Sequence, residues 1–185
     1  MKILAFTPSL RAASTNKRLV AWAAEIASQN GAEVDLADFH EFDMPNYDGD
    51  LQDKGFPSGV LKFANRIQSA DGLLIATPEY NFSIAGNFKN AIDWVSRIKP
   101  QPLSGKSAFL MSASIGAVGG IRGLWQTRIP LEGLGVFVSP HMFTLAHSHE
   151  AFDTHGQFKD EQNYVRLEKM VKEYLKAAKA LSTAH

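Results

Sequence analysis

The sequence predicts an α/β fold, a three-layer sandwich in which a five-stranded parallel sheet carries helices on both faces. Short apolar runs alternate five times with segments of helical periodicity, which is the pattern of a parallel sheet. The chain has 185 residues, of which 45% are hydrophobic and 21% charged, so one domain with a sizeable core is expected. No repeat or linker interrupts the pattern, and residues 1–185 are predicted to form a single domain.

The first half of the chain supplies three strands and two helices. The predicted strands run from Lys2 to Thr7, from Glu33 to Asp38 and from Leu73 to Ala76. The first helix ends at Asn30-Gly31, a helix-stop signal, and the second begins with Ser58 as its cap. Between them, the Asp- and Gly-containing segment 39–57 is expected to be a surface loop.

The second half continues the alternation after the stretch from Thr77 to Arg97, which is predicted to be a shaped loop followed by a helix. The further elements are a strand from Ser107 to Ser112, a glycine-rich segment from Ile115 to Gly123, a helix kinked at Pro130, a strand from Val136 to Val138, an irregular segment from His141 to Gln157 and a last helix from about Asp160. Five such strands indicate the flavodoxin-like order 2-1-3-4-5, which places the loops after the first and third strands side by side.

Composition excludes several classes of function. Lys+Arg and Asp+Glu balance at 19 each, so no charge argues for a nucleic-acid partner or an anionic membrane. The chain has no cysteine, which excludes disulfides, thiolate metal sites and a cysteine nucleophile. No apolar run approaches the length that spans a bilayer, and a cytoplasmic protein is expected.

The loop after the first strand is rich in groups that bind anions. Its hydroxyls, amide and guanidinium belong to Ser9, Arg11, Ser14, Thr15 and Asn16. They lie at the start of a helix, where free N–H groups and the helix dipole favour a phosphate. No GxGxxG or Walker pattern is present there, which argues against a dinucleotide or ATP fold. A hydroxyl-rich loop suits a terminal phosphate monoester, but the same residues also suit a plain helix cap.

Two further loops offer aromatic side chains and accessible backbone amides rather than acid–base groups. The loop after the third strand contains Pro78, Glu79, Tyr80, Asn81 and Phe82. These residues suit a flat ring with polar edges, or simply a tight turn with two packing aromatics. The loop after the fourth strand contains Ser114 and Gly116, where small residues let backbone amides approach a ligand edge, or form an ordinary glycine turn.

The three loops together resemble one known family. SLRxxSxN follows the first strand, TPEYN and GxxKNAIDWxSR follow the third, and GxxGG follows the fourth. This set resembles the NAD(P)H-dependent FMN reductases, flavodoxin-like proteins that include quinone and chromate reductases. The resemblance extends to about Val138, and its second motif is long and specific.

The resemblance implies a cofactor, its binding residues and a reaction. Ser9, Arg11, Ser14, Thr15 and Asn16 would hold the FMN phosphate, the segment Pro78 to Phe82 with Glu79, Tyr80 and Asn81 would line the flavin ring, and Ser114 and Gly116 would approach its pyrimidine edge. NADPH or NADH would deliver hydride to FMN, and a small-molecule acceptor such as a quinone, chromate, an azo compound or free flavin would then take it in a ping-pong cycle. No protein side chain would be catalytic.

The sequence departs from the family pattern at two positions. Pro8 stands where the family usually has glycine, and Ala85 stands where proline is common, and both changes could weaken the binding of FMN. The alternatives are an electron carrier and a flavin-binding redox sensor without enzymatic activity.

Other residues have competing interpretations. The histidines between His141 and His155 could hold a metal, but a solvated loop without a site is favoured. Glu79 is expected to be a structural carboxylate bonded to nearby backbone. The apolar surface of the helix from Phe88 to Ile98, with Trp125, is wider than one stripe needs, which favours a homodimer or homotetramer interface over intradomain packing.

Overall fold

The computed structural model describes residues 1–182, so residues 183–185 of the predicted domain lie outside the described part. The strands are β1 (Lys2–Thr7), β2 (Glu33–Asp38), β3 (Gly72–Ala76), β4 (Glu79–Tyr80), β5 (Ser83–Ile84), β6 (Ser107–Ala113), β7 (Phe137–Val138) and β8 (Phe143–Leu145). The α-helices are α1 (Thr15–Gln29), α2 (Gly49–Gln52), α3 (Ser58–Gln68), α4 (Gly86–Val95), α5 (Ile121–Gly133) and α6 (Glu161–Ser182), with a 3₁₀ helix at Phe39–Phe42. In this part of the chain, no helix is long and apolar enough to cross a bilayer.

The main sheet has the order β2-β1-β3-β6-β7, and β8 also pairs with β6. Every pairing in it is parallel, so the predicted flavodoxin-like order is confirmed. The predicted fifth strand is divided in two. β7 pairs with the start of β6 at Ser107 and Ala108, and β8 pairs with its end, from Met111 to Ala113.

The prediction that segment 141–157 is wholly irregular is therefore wrong at Phe143–Leu145. Phe143 and Leu145 are buried at 1% and 2% exposure and alternate with a less buried Thr144, which is the period of a strand. Pro140 lies between β7 and β8 and has no N–H to give to a ladder, which accounts for the break. After the break the chain continues in the same direction along β6 to the carboxyl edge of the sheet.

Two hydrophobic clusters fill the two faces of the sheet. One packs α1 and α6 against it through residues such as Leu19 and Val171. The other packs α3, α4 and α5 and contains a group of touching aromatic rings, namely Phe6, Phe39, Phe42, Phe63 and Phe88. Because helices cover both faces of the sheet, the sequences of β1, β3 and β6 are nearly continuous apolar runs.

A buried tyrosine fixes α6 to the sheet. The Tyr174 hydroxyl accepts a hydrogen bond from the Leu73 N–H at 3.0 Å and lies 3.1 Å from the Ser107 hydroxyl. Burial raises the pKa of Tyr174. Gly72 makes room for this contact, because a Cβ there would lie 2.4 Å from the tyrosine oxygen.

Several predicted details need correction. Ser58 is the first residue of α3, and Pro57 occupies the cap position, so the predicted serine cap is wrong. Pro130, by contrast, lies inside α5 as predicted. The predicted surface loop 39–57 contains the 3₁₀ helix and α2, because Asp38 and Asp48 accept hydrogen bonds from the backbone N–H groups that follow them.

The apolar surface of α4 is buried within the chain. Trp94 is 0% exposed, its Nε1–H donates to the Pro45 carbonyl at 2.8 Å, and its ring packs edge-on against Tyr47. The other apolar residues of the helix that are buried in the same way are Phe88, Ala91, Ile92 and Val95. The interpretation of segment Phe88 to Ile98 as a subunit contact is therefore wrong, because segment 39–57 covers Trp94 and the other buried residues of the helix belong to the hydrophobic core on this face of the sheet.

Candidate functional site

The three predicted loops meet in one open cleft of about 370 Å³ at the carboxyl ends of β1, β3 and β6. The predicted residues that line it are Ser9, Arg11, Ser14, Thr15, Asn16, Pro78, Glu79, Tyr80 and Ser114. Asn81, Phe82 and Gly116 lie outside this lining. The sheet order brings these loops together because parallel strands end at the same edge.

One end of the cleft is built for an anion. Ser14 occupies the N-cap position of α1, yet its side chain makes no cap hydrogen bond. The first N–H groups of the helix, at Thr15 and Asn16, have no acceptor within the helix. The exposed Arg11 guanidinium stands at the same end. Hydroxyls, free N–H groups and a guanidinium are therefore available to one phosphate.

The side chain of Asn16 has a structural role instead of the phosphate contact that the motif indicated. Its side-chain amide donates to the Ala113 carbonyl and accepts from the Ala113 N–H, both at 2.9 Å. Asn16 is 3% exposed. The amide is therefore engaged in fastening α1 to the end of β6, and what Asn16 can offer a ligand is its backbone N–H.

The second loop is a tight β-hairpin. β4 and β5 pair antiparallel, and the two residues between them, Asn81 and Phe82, have φ of 49° and 66°. Asn tolerates this left-handed conformation, whereas Phe adopts it at a cost of about 1–2 kcal/mol. The Phe82 ring is 67% exposed and lies under the Arg122 guanidinium, 4.5 Å from ring centroid to carbon.

Glu79 fastens this hairpin to the start of α5. Its carboxylate pairs with Arg122 at 2.9 Å and accepts a hydrogen bond from the Gly123 N–H at 3.0 Å. The Glu79 side chain is 8% exposed. The prediction of a structural carboxylate bonded to nearby backbone is confirmed. Gly123 permits the contact, since a Cβ there would lie 3.0 Å from the Glu79 backbone.

The third loop offers different amides from those expected. The Ser114 N–H donates to the Leu145 carbonyl at 3.0 Å, and the Gly116 N–H faces the Ser114 hydroxyl at 3.3 Å. These two N–H groups are thus engaged. Among the described residues the N–H groups of Ile115, Ala117 and Val118 have no acceptor, and of these three residues Ile115 lines the cleft, so its N–H is the one free to meet a ligand edge.

The cleft also contains residues that the sequence analysis did not assign to a flavin site. They are Ala13, Arg18, Ala113, Ile115, Ser148 and His149. Ser148 and His149 follow β8, which was the unpredicted strand. A strand at Phe143–Leu145, recognised from its alternation of apolar and polar residues, would have placed the residues after it at this same edge.

The histidine segment shows no metal-binding geometry in residues 1–182, where no three His, Cys, Asp or Glu side chains converge. His147 and His149 have ring centroids 6.5 Å apart, and His149 lies 3.3 Å from the Glu150 carboxylate.

Fold and site together define a flavodoxin-like protein with a cleft for a flat ring that carries a terminal phosphate. FMN fits this donor set. The residues at the helix end can take its phosphate, while Pro78, Tyr80 and Ile115 give the ring apolar surface. The free Ile115 N–H can meet its polar edge.

Comparison with known proteins agrees with this class. The family model of NADPH-dependent FMN reductases matches residues 1–150. The chain is 38% identical to an NAD(P)H-dependent FMN reductase of Pseudomonas aeruginosa, over 88% of this chain and 86% of that one. It is 34% identical to a probable NADPH:quinone oxidoreductase of Oryza sativa subsp. japonica, covering 92% and 85%. A flavoenzyme NAD(P)H:(acceptor) oxidoreductase of Paracoccus denitrificans superposes with a TM-score of 0.84 at 28% identity, covering 97% of each chain.

The chain therefore belongs to the NADPH-dependent FMN reductase family. The resemblance seen in the sequence is confirmed, and with it the prediction of an oxidoreductase enzyme that uses FMN and NAD(P)H.

Proposed function

We propose that this protein holds FMN in the cleft and passes reducing equivalents from NADPH or NADH to a small-molecule acceptor. Bound FMN would supply the hydride chemistry, and the chain would bind, orient and shield it. The single observation that carries the proposal is the cleft, which has anion donors at its helix end and a flat wall at its hairpin end. We assign the phosphate to Ser9, Arg11 and Ser14 with the first N–H groups of α1.

The ring end supports a permissive choice of acceptor. Tyr80 and Ile115 are 50% and 72% exposed, so the wall beside the proposed ring is open to solvent. An open apolar wall accommodates flat acceptors of different shapes, among which quinones, azo compounds and free flavin are candidates, and it leaves chromate free to approach. Donor and acceptor would use the same opening in turn, which is a ping-pong cycle.

Flavin titration followed by anaerobic turnover tests the proposal. The purified protein should quench flavin fluorescence on addition of FMN, then bleach with NADPH or NADH and recover its colour with an acceptor. Retention of flavin through turnover separates reduction of quinones from release of reduced FMN. A protein that binds no FMN in the titration contradicts the proposal, and one that binds FMN but is not bleached by either donor supports a carrier or sensor.

We also propose a homodimer or homotetramer, now based on α5. Trp125 and Ile129, 54% and 64% exposed, lie one helical turn apart and continue towards Arg122 and Phe82. An exposed apolar stripe of this kind fits a contact between copies of the chain. Trp125→Glu should lower the mass measured by light scattering, whereas Trp94→Ala should act on folding stability. An unchanged mass for Trp125→Glu would contradict this interface.

A cytoplasmic location and one FMN-binding domain over residues 1–185 stay predictions.

A further inference from the structure

We propose that Ser148 is a positioning residue that aims the Thr15 hydroxyl at the cofactor phosphate. This inference rests on the proposed function, namely that FMN binds in the cleft with its phosphate at the start of α1. It adds a fourth segment of the chain, the connection between β8 and α6, to the three loops that form the cleft.

The ladder of β6 and β8 carries this segment to the cleft. The Ser114 N–H donates to the Leu145 carbonyl, and the Ser148 N–H donates to the Ser114 carbonyl, each at 3.0 Å. These two bonds continue the pairing of β8 with β6 beyond the strand ends. Ser148 is therefore held by backbone on the same rigid sheet edge that holds the third loop.

The turn at His147 directs the Ser148 side chain inward. His147 has a φ of 47°, a left-handed conformation that reverses the chain, and the Glu150 N–H donates to its carbonyl at 2.9 Å. Ser148 is 2% exposed, whereas His147 and His149 on either side are exposed. A serine in an otherwise polar, exposed segment is thus buried at the wall of the cleft.

The buried hydroxyl meets Thr15, the first residue of α1. The Ser148 Oγ and Thr15 Oγ1 atoms are 3.1 Å apart. Each hydroxyl has one hydrogen and two lone pairs, and only one of the two hydrogens can lie between the oxygens. When Ser148 donates to Thr15, the Thr15 hydrogen is left for an outside acceptor. An anion at the helix N-terminus selects that arrangement, because it attracts the remaining O–H.

His149, the next residue, is not assigned a role in phosphate binding. Its ring lies at the rim of the cleft, and its Nε2 is 3.3 Å from the Glu150 carboxylate, with both side chains more than half exposed. A pair so exposed contributes little and competes with any phosphate contact. The part of the segment that is held in place is the buried Ser148, through its contact with Thr15.

A double-mutant cycle with two ligands tests the assignment. Dissociation constants for FMN and for riboflavin, which lacks the phosphate, are measured by flavin fluorescence in the full-length protein. Thr15→Val should weaken FMN binding about tenfold, as expected for one hydrogen bond to a charged group. Ser148→Ala should weaken it about three- to tenfold, and the double variant should match Thr15→Val alone. Riboflavin affinity should not change in any of them.

Ser112→Ala is the matched control. Ser112 is a buried serine on β6, outside the cleft lining, and its hydroxyl has no hydrogen-bond partner among the described residues. Its removal should leave both flavin affinities unchanged, and thermal melts of all variants report on folding.

Three outcomes overturn the inference while leaving the proposed function intact. They are an unchanged FMN affinity in Ser148→Ala, an equal loss for FMN and riboflavin, and strictly additive effects of the two substitutions. Wild-type protein that binds no FMN contradicts the proposed function itself, so the two failures are distinguishable.

Discussion

The two ends of the cleft are built in opposite ways. At the helix end, Ser9, Ser14 and Ser148 are buried at 4%, 6% and 2% exposure, and side-chain hydrogen bonds join the segments that carry them. At the hairpin end, Tyr80 and Phe82 are half or more exposed, and Phe82 has a left-handed backbone. The helix end therefore presents buried hydroxyls that are held in place, and the hairpin end presents exposed aromatic side chains.

This difference suggests a division of labour. A phosphate has one shape and one charge, so fixed donors can bind it without losing much freedom on binding. Acceptors differ in shape, so the end that meets them gains from an open wall. Left-handed non-glycine backbone is common at functional sites, and it occurs at both ends of the cleft, at His147 beside Ser148 and at Asn81 and Phe82 in the hairpin.

The largest expected effect comes from putting a negative charge at the helix end. Ser14→Asp supplies a favourable N-cap residue to α1, so thermal stability should hold or rise. The carboxylate would face the phosphate, and charges about 4 Å apart repel by about 4 kcal/mol at an effective dielectric constant of 20. FMN affinity should therefore fall at least ~100-fold while riboflavin affinity changes little.

Ser14→Ala is the companion variant and should weaken FMN binding about tenfold, since it removes a hydroxyl without adding charge. Equal affinities of Ser14→Asp and wild type for FMN would mean that Ser14 is a helix residue only, and the contrast between the two ends would then lose its basis.

The next effect concerns the hairpin end. Glu79→Ala removes the carboxylate that holds Arg122 and the buried Gly123 N–H, which should lower the free energy of unfolding by about 2 kcal/mol. FMN and riboflavin affinities should weaken by the same factor, because the hairpin faces the ring and not the phosphate. Chemical denaturation and the two titrations provide the measurements.

Glu79→Gln is the control here, since the amide oxygen can still accept from Gly123 while the charge is lost. It should cost less stability than Glu79→Ala. A loss confined to FMN would show that Glu79 acts at the phosphate, against the proposed division.

The sequence predicted the helix end better than the hairpin end, for physical reasons. The positions of Ser9, Arg11 and Ser14 at the start of α1 follow from the motif and the strand order, although the loop by itself also suited a plain helix cap. The motif assigned the Asn16 amide to the phosphate, but an amide can equally bond backbone, and here it bonds the backbone of β6. Ser148 could not be predicted from its own surroundings, because only the pairing of β8 with β6 brings it to Thr15.

The interface prediction failed at α4 for a related reason. The width of an apolar helix surface reports how much of it is buried, not what covers it. Segment 39–57 looked like a surface loop, yet its Pro45 carbonyl and Tyr47 ring cover Trp94. Only the position of that segment in space separates a subunit contact from intradomain packing.

The smallest effect on stability, and the sharpest test of the open end, comes from Phe82→Gly. Glycine at φ of 66° relieves about 1 kcal/mol of backbone strain, and the loss of the Arg122 contact removes about 0.5–1 kcal/mol, so the free energy of unfolding should change by less than about 1 kcal/mol. FMN affinity should not change, because Phe82 lies outside the cleft lining. If the exposed ring serves acceptors, the KM for a quinone should rise several-fold while the rate of flavin bleaching by NADPH stays constant. An unchanged KM would leave the strained Phe82 without a part in acceptor binding and would restrict the open end to Tyr80 and Ile115.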